Sequence, residues 1–208
     1  MAEEIYLKSI VDDLINQVVQ ILDLQTIMPA VQATIGKFYR DGMETEELNF
    51  GMNFQEDKRK VTFLQNYTFD NIKGMNADIA ENLRKKLSMA LMNQASISEM
   101  QKDISLVMDS AKDRAIMIAR TETIRAENIG RDDAAQQSGL KLKKWLLVTE
   151  DHRTSGICQA LHNKYGSPEK AIAMDADFVV NVGKTQTRAQ LPPFHPNCRT
   201  SVQYEQQD

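Results

Sequence analysis

At 208 residues, with 42% hydrophobic and 26% charged side chains, the chain holds enough apolar material for one generous domain or two small ones and is not of disordered composition. Its net charge of −4 argues against a dedicated nucleic-acid binder, whose affinity comes largely from neutralising phosphates, while leaving room for a local basic patch. No apolar run approaches the roughly 18 residues of a membrane span, and the acidic start Met1-Ala2-Glu3-Glu4 lacks the basic and apolar regions of a secretory signal, so a cytoplasmic product with no membrane partner is expected.

In chain order, the first pattern is helical. Ile10, Leu14, Val18 and Leu22 fall four apart beside a parallel row of Val11, Ile15 and Val19, which predicts a helix over about 3–25 that Pro29 ends. A second helix over about 30–40 places Val31, Ile35 and Phe38 on one side and closes at Asp41-Gly42. Residues 43–76 crowd Phe50, Phe54, Phe63, Tyr67 and Phe69 and hold something buried. Val61-Thr-Phe63 reads equally as a strand or a helix start. Ile79, Leu83, Leu87 and Leu91 restore the helical period to about Asn93. Ser96-Ile-Ser-Glu99 fits a capping box for a new helix from about Ile97, and a long helix runs from about Asp109 to Ser138, stopped by Gly139. Eleven methionines against one tryptophan suit adaptable packing between helices.

Beyond Gly139 the texture changes. Strands are predicted over Lys143–Val148, Phe178–Val182 and Thr200–Tyr204, with a short helix over about 155–163 and a loop from Gly183 to Pro193. The expected class is α+β: an all-helical N-terminal half, residues 1–109, followed by a small mixed α/β module with a short sheet, residues 110–208.

Two constellations stand out. On the long helix, Ala115, Ile118, Ala119, Ala126 and Ile129 share one stripe with Glu122 in its middle, and Asp133 continues it. A carboxylate there is either solvated at a wet edge or buried with a partner; Arg153 and Arg199 are the candidate partners. The small alanines would let another backbone come close. In the C-terminal part, Cys158 and His162 lie four apart, and His195 and Cys198 three apart. Two short-spaced Cys/His pairs are what a four-coordinate structural zinc site requires, with His152 or Asp151 as alternatives to His162. The other reading is two buried thiols with His195 and Asn197 capping a turn. A catalytic Cys–His pair lacks a recognisable orienting acid, and the scattered glycines form no phosphate-cradling loop, so no catalytic residue is assigned.

The run Ile118-Ala-Arg120-Thr121-Glu122, then Ala126, Asn128, Gly130, Gly139, Trp145, Asp151-His-Arg153-Thr154, Cys158, Leu161 and Pro192-Pro-Phe-His195-Pro-Asn-Cys198-Arg199 resembles the C-terminal domain of phage Mu F-like minor head proteins, also called phage head morphogenesis proteins. The resemblance covers about residues 110–204. The chain departs from it in having Ser155 and Thr200 where the family often has cysteines, and His162 where the family commonly has an acidic residue. The resemblance implies a structural core of Arg120, Glu122, Asn128, Asp151, Arg153 and Arg199. It further implies a minor capsid protein of a tailed phage or prophage, located in the virion at the head interior or portal vertex. Its expected partners are the portal protein and other capsid or scaffold proteins, and its role is head assembly or genome packaging and ejection. The unmatched N-terminal half is where portal contacts are expected. Two other readings are a metal-dependent nuclease or toxin-like effector using His195 and Glu122, and a protein touching packaged DNA through a basic edge of Lys141, Lys143, Lys144, Arg188 and Arg199.

Overall fold

The computed structural model of the chain describes residues 24–92 and 97–207. Three long helices come first, α1 (Leu24–Phe50), α2 (Lys58–Met92) and α3 (Ile97–Gln137). They are followed by β1 (Leu142–Leu147), α4 (Gly156–Tyr165), a 3-10 turn (Pro168–Lys170), β2 (Ile172–Ala173), β3 (Phe178–Val182), β4 (Thr185–Ala189) and β5 (Ser201–Gln206). The class is α+β, helical first and strand-bearing at the C-terminus. Most of the helix expected over 3–25 and Ser96 of the expected capping box lie outside the described residues.

Several expected boundaries are corrected. Helix α1 passes through Pro29, where no break occurs, and through Asp41-Gly42 to Phe50. It stops at Gly51, whose φ of +65° is the left-handed conformation that ends helices. The aromatic stretch 43–76 is mostly helix, and Val61-Thr-Phe63 lies inside α2. The helices expected to start at Ile97 and Asp109 are one, α3. The stretch Thr185–Ala189, expected to be loop, is a strand paired with β3.

The chain divides into two compact units, each drawing on separated segments. The first includes residues 67–117. There Met75, Ile79 and Leu83 on α2 are buried at four-residue spacing, as are Val107 and Ala111 on α3, and Arg114 pairs with Asp78 at 2.7 Å. The second takes Gln32–Asn66 and Ile118–Asp208. Its sheet has the order β2-β1-β5 and is antiparallel; β3 and β4 form a separate antiparallel hairpin. Leu146, Val148, Cys158, Leu161, Tyr165, Phe178, Val180, Cys198 and Val202 make its core. Phe178 meets Tyr165 and Phe194 edge-on, with centroids 5.1 and 6.0 Å away, an arrangement that aligns ring edges with ring faces.

Within this unit α1 and α3 cross at glycines. A Cβ on Gly42 would lie 2.1 Å from the Glu127 carbonyl oxygen, and one on Gly130 would lie 2.0 Å from that of Tyr39. Glycine is therefore required at both points for the backbones to come this close. Buried polar pairs line the crossing. Arg131 donates to Glu46 at 2.9 Å and also contacts Glu127. Asp133 accepts from Tyr39 and Lys60. Burial pushes the carboxyl of Glu46 up, against the lowering effects of Asn49 and Arg131, so this pair rests on its hydrogen bonds rather than on charge alone.

Gly130→Ala should cost about 3 kcal/mol, the upper end of overpacking, and so lower the melting temperature by roughly 6–12 °C in a domain of this size. Gly74, in α2, has no atom within 4 Å of its would-be Cβ, and Gly74→Ala should instead stabilise by roughly 0.5–1 kcal/mol. Equal melting curves for the two variants would refute the close crossing.

Candidate functional site

The side chains singled out in the C-terminal part converge on one end of the second unit. Ser155 caps α4, its oxygen accepting from the N–H of Cys158 at 3.1 Å, as short hydroxyl side chains do at helix starts. The cap fixes the first turn of α4 and so the position of Cys158. From the other side a turn closed by Cys198 N–H to His195 O at 3.2 Å brings His195 and Cys198 to the same point. Cys158 Sγ lies 2.9 Å from His195 Nε2, 3.9 Å from Cys198 Sγ and 3.3 Å from Thr200 Oγ1. Ser155 Oγ is 2.8 Å from the same His195 nitrogen. Both thiols are buried and free.

The tautomer of His195 follows from its other nitrogen. Nδ1 lies 2.7 Å from the carbonyl oxygen of Pro196, which can only accept, so Nδ1 carries the hydrogen. In the neutral ring Nε2 is then a lone pair facing Cys158 and Ser155, the state a metal ligand needs. The Cys198 thiol is lowered first by its hydrogen bond with Cys158 and also by His195, while burial opposes it. Cys158 is pushed up by the same thiol contact and by burial. The contact thus pushes the two thiols in opposite directions, Cys198 toward the thiolate and Cys158 toward the thiol. The ring of His195 is nearest to Cys158, yet its pKa is raised chiefly by Cys198.

The donors of Cys158, His195 and Cys198 lie within 4.8 Å of one another. A tetrahedral zinc with Zn–S bonds of about 2.3 Å sets two thiolates about 3.8 Å apart, close to the 3.9 Å here. The Cys158–His195 approach of 2.9 Å is shorter than the roughly 3.5 Å N···S edge of such a site, so in this arrangement the ring is hydrogen-bonded to the thiol. The hydroxyls of Ser155 and Thr200 contact His195 Nε2 and Cys158 Sγ respectively. The donor set fits a structural ion with three protein ligands. His162 is not among them. Its Nε2 faces Glu150 at 3.4 Å and its ring packs against Gly166 at the end of α4.

A cavity of only about 10 Å³ borders Cys158, His195 and Thr200, space for one water-sized occupant. Beside it opens a cleft of about 590 Å³ lined by Arg120, Arg153, Arg199 and Asn197. Asn197 has a φ of 58°, a left-handed conformation that asparagine tolerates, and its N–H donates to Thr121 Oγ1 at 3.0 Å, tying the loop to α3.

The partners expected for Glu122 are corrected. Glu122 is buried and pairs with Arg125 at 2.8 Å, one helical turn on, a spacing that lets a surface guanidinium reach back to an inward carboxylate. Arg153 and Arg199 go instead to Asp151. Arg199 bonds it through both terminal nitrogens at 2.7 and 2.6 Å, and Arg153 donates its backbone N–H at 2.8 Å and contacts it through Nη2 at 3.4 Å. His152 is exposed. Asn128 is fully buried: its amide donates to Ile124 O and Thr200 O, and its oxygen accepts from Val202 N–H at 2.7 Å. The expected basic edge is also corrected. Lys144 is 1% exposed, donates to Gln190 O at 3.1 Å and sits 5.4 Å from the Phe178 ring centre. Burial lowers its pKa. Arg188 pairs with Asp177, which leaves Lys141 and Lys143 as the exposed basic residues of β1 and its approach.

The family model described as "Phage Mu protein F like protein" matches residues 81–203, more than half of the 208 positions. No curated protein and no solved structure matches the chain significantly.

The Arg199 guanidinium and the Arg153 N–H hold the carboxyl of Asp151 well below the usual carboxylate range. A carboxyl lowered by folding stabilises the fold above the ordinary aspartate range, about pH 4, and loses that contribution as pH falls toward the lowered value. The melting temperature of the wild-type chain should exceed that of Asp151→Asn by a constant margin from neutral pH to about pH 5, and the margin should shrink steadily below about pH 4. A margin unchanged in acid would show that Asp151 is not ion-paired.

Proposed function

The chain belongs to the Phage Mu protein F like family, and from that premise we propose that it is a structural minor component of a phage head, joined to the portal and acting in head assembly or in handling the packaged genome. The observation that carries this reading is the family match across residues 81–203. The character of the best-defined site supports it. Cys158 and Cys198 are 4% and 1% exposed, and the small cavity bordered by Cys158 and His195 has room for a water or an ion rather than a substrate. Glu122 lines neither that cavity nor the arginine cleft and is ion-paired, so the arrangement does not favour a nuclease built on His195 and Glu122.

The helical N-terminal half is the part we assign to portal contact. Leu48 on α1 is 86% exposed and Met89 on α2 is 58% exposed, and such side chains on long helices suit docking onto another helical surface. Co-expressed with a portal protein from the same phage, the chain should co-purify with the portal. Leu48→Glu with Met89→Glu should reduce recovery of the complex several-fold without lowering the melting temperature. Failure of the unaltered chain to bind the portal would sink the reading.

Cys158, His195 and Cys198 are the residues we assign to a structural zinc ion, with Ser155 or Thr200 beside the fourth position. An ion held by these three side chains would cross-link α4 and the loop before β5. Purified without chelator, the protein should carry about one zinc per chain, Cys198→Ser should carry almost none, and a chelator should lower the melting temperature of the unaltered chain only. Metal at background level in the unaltered chain, with no response to chelator, would leave the cluster as a hydrogen-bonded thiol pair.

A further inference from the structure

The cleft next to the thiol cluster has a composition that the cluster itself does not explain. Three guanidinium groups, those of Arg120, Arg153 and Arg199, line its volume of about 590 Å³, on a chain whose net charge is −4. They come from three separate places: α3, the turn after β1 and the loop before β5. The carboxylate of Asp151 serves two of them, and Arg120 makes no ion pair among the described residues. The cleft therefore holds a surplus of about two positive charges. Arg199 is held rigid by its paired bonds to Asp151, with its Nε–H and outer edges still able to donate. Such a planar, pre-oriented donor matches a phosphate better than a lysine would.

We propose that this cleft binds the phosphates of a nucleic-acid backbone, in particular the duplex DNA that a phage head contains. The proposal rests on the head-protein reading for the identity of the DNA and on the cleft alone for the chemistry. The volume exceeds what one oxyanion fills and admits a backbone passing along the three arginines. The donors reach phosphate oxygens and not base edges, so binding is expected to be independent of sequence and strongly weakened by salt. The acidic remainder of the surface repels the duplex elsewhere and confines binding to the cleft.

The test uses the full chain and a fluorescent duplex, with binding followed by anisotropy over a range of salt concentrations. Binding should be measurable at low salt and fall steeply as salt rises. Arg120→Glu with Arg153→Glu should lower affinity at least about tenfold and reduce the slope of log K against log salt by about one for each phosphate no longer neutralised. Neither residue is buried and Arg199 keeps its pair with Asp151, so the variant should stay folded, its melting temperature lowered only by the few degrees that loss of the exposed Arg153–Asp151 contact costs. Lys141→Glu with Lys143→Glu should change affinity little. Inorganic phosphate should compete only weakly, because one free ion cannot span the three arginines. Loss of binding in the lysine variant but not in the arginine variant would overturn the proposal, as would absence of binding at low salt. Competition by inorganic phosphate as effective as by duplex would reassign the cleft to a small anion. Portal co-purification of the unaltered chain separates the two readings: if it is seen while the unaltered chain binds no duplex at low salt, the cleft proposal fails and the head-protein reading stands.

Discussion

A buried side-chain amide sets the geometry of the C-terminal module. Asn128 on α3 has no solvent contact, so its donor and acceptor must be met by protein, and both are met largely by the edge of β5, through Thr200 O and Val202 N–H. A slip of the strand by one residue would leave the amide oxygen unpaired in the core, at a cost of about 1–3 kcal/mol, a sizeable share of a domain's net stability. Two more ties reinforce the register, Tyr204 Oη to Asp132 at 2.9 Å and Asn197 N–H to Thr121. The periods agree. From Asn128 to Asp132 the helix rises about 6 Å, and from Val202 to Tyr204 the strand advances about 6.6 Å, so helix and strand can be bonded at successive points without strain. Because β5 is fixed, the segment just before it delivers Cys198 and Arg199 to fixed places.

How far the sequence foretold this differs by element, for physical reasons. Strand β3 was legible to the residue, and β1 and β5 to within one or two at each end, because each couples apolar residues to a clear boundary. Strand β4 was missed because Thr185-Gln-Thr-Arg-Ala189 pairs through its backbone while its side chains are mostly exposed, so no apolar alternation marks it. Gly42 was misread because a glycine that ends a helix and one that admits a neighbouring backbone look alike in one dimension; only the Glu127 carbonyl on another element distinguishes them. The burial of Lys144 did have a signal. Leu142, Lys144 and Leu146 share one face of β1 by the two-residue period, and that face is the buried one. For the site, the residue types and their short spacings were visible, and three of the four proposed ligands meet. The pairing of Asp151 with Arg199 and of Glu122 with Arg125 was not visible, because a choice among several arginines is made by the fold.

The thiol cluster is satisfied by hydrogen bonds alone. The Nε2 lone pair of His195 accepts from the hydroxyl or thiol beside it, and Thr200 and Ser155 satisfy the remaining sulfur and nitrogen sites. In the proposed zinc form, the same lone pair and the two sulfurs would become ligands. Ser155 is bound into either form because it caps α4 as well as touching His195. Hydroxyls rather than thiols at 155 and 200 lower the number of thiolates that must be kept from repelling one another in a buried volume. Neutral donors cost less to bury than charged ones, and this shell therefore tolerates an empty centre better than a four-thiolate shell would.

The small cavity and the larger cleft have a wall in common, formed by Arg153, Asn197 and Arg199. This wall is loop, and loop residues ordinarily lose about 1–2 kcal/mol each in backbone entropy when held in one conformation. Here that loss is offset by interactions behind the wall: the His195–Cys198 turn, the packing of Cys198 at 1% exposure, and the paired bonds of Arg199 to Asp151. A guanidinium presented from a mobile loop would have to be ordered again at each encounter with an anion, and that ordering would be subtracted from its affinity. A guanidinium already fixed from behind gives up little. The thiol cluster and the charged cleft are thus one construction: the buried side determines where the exposed arginines stand.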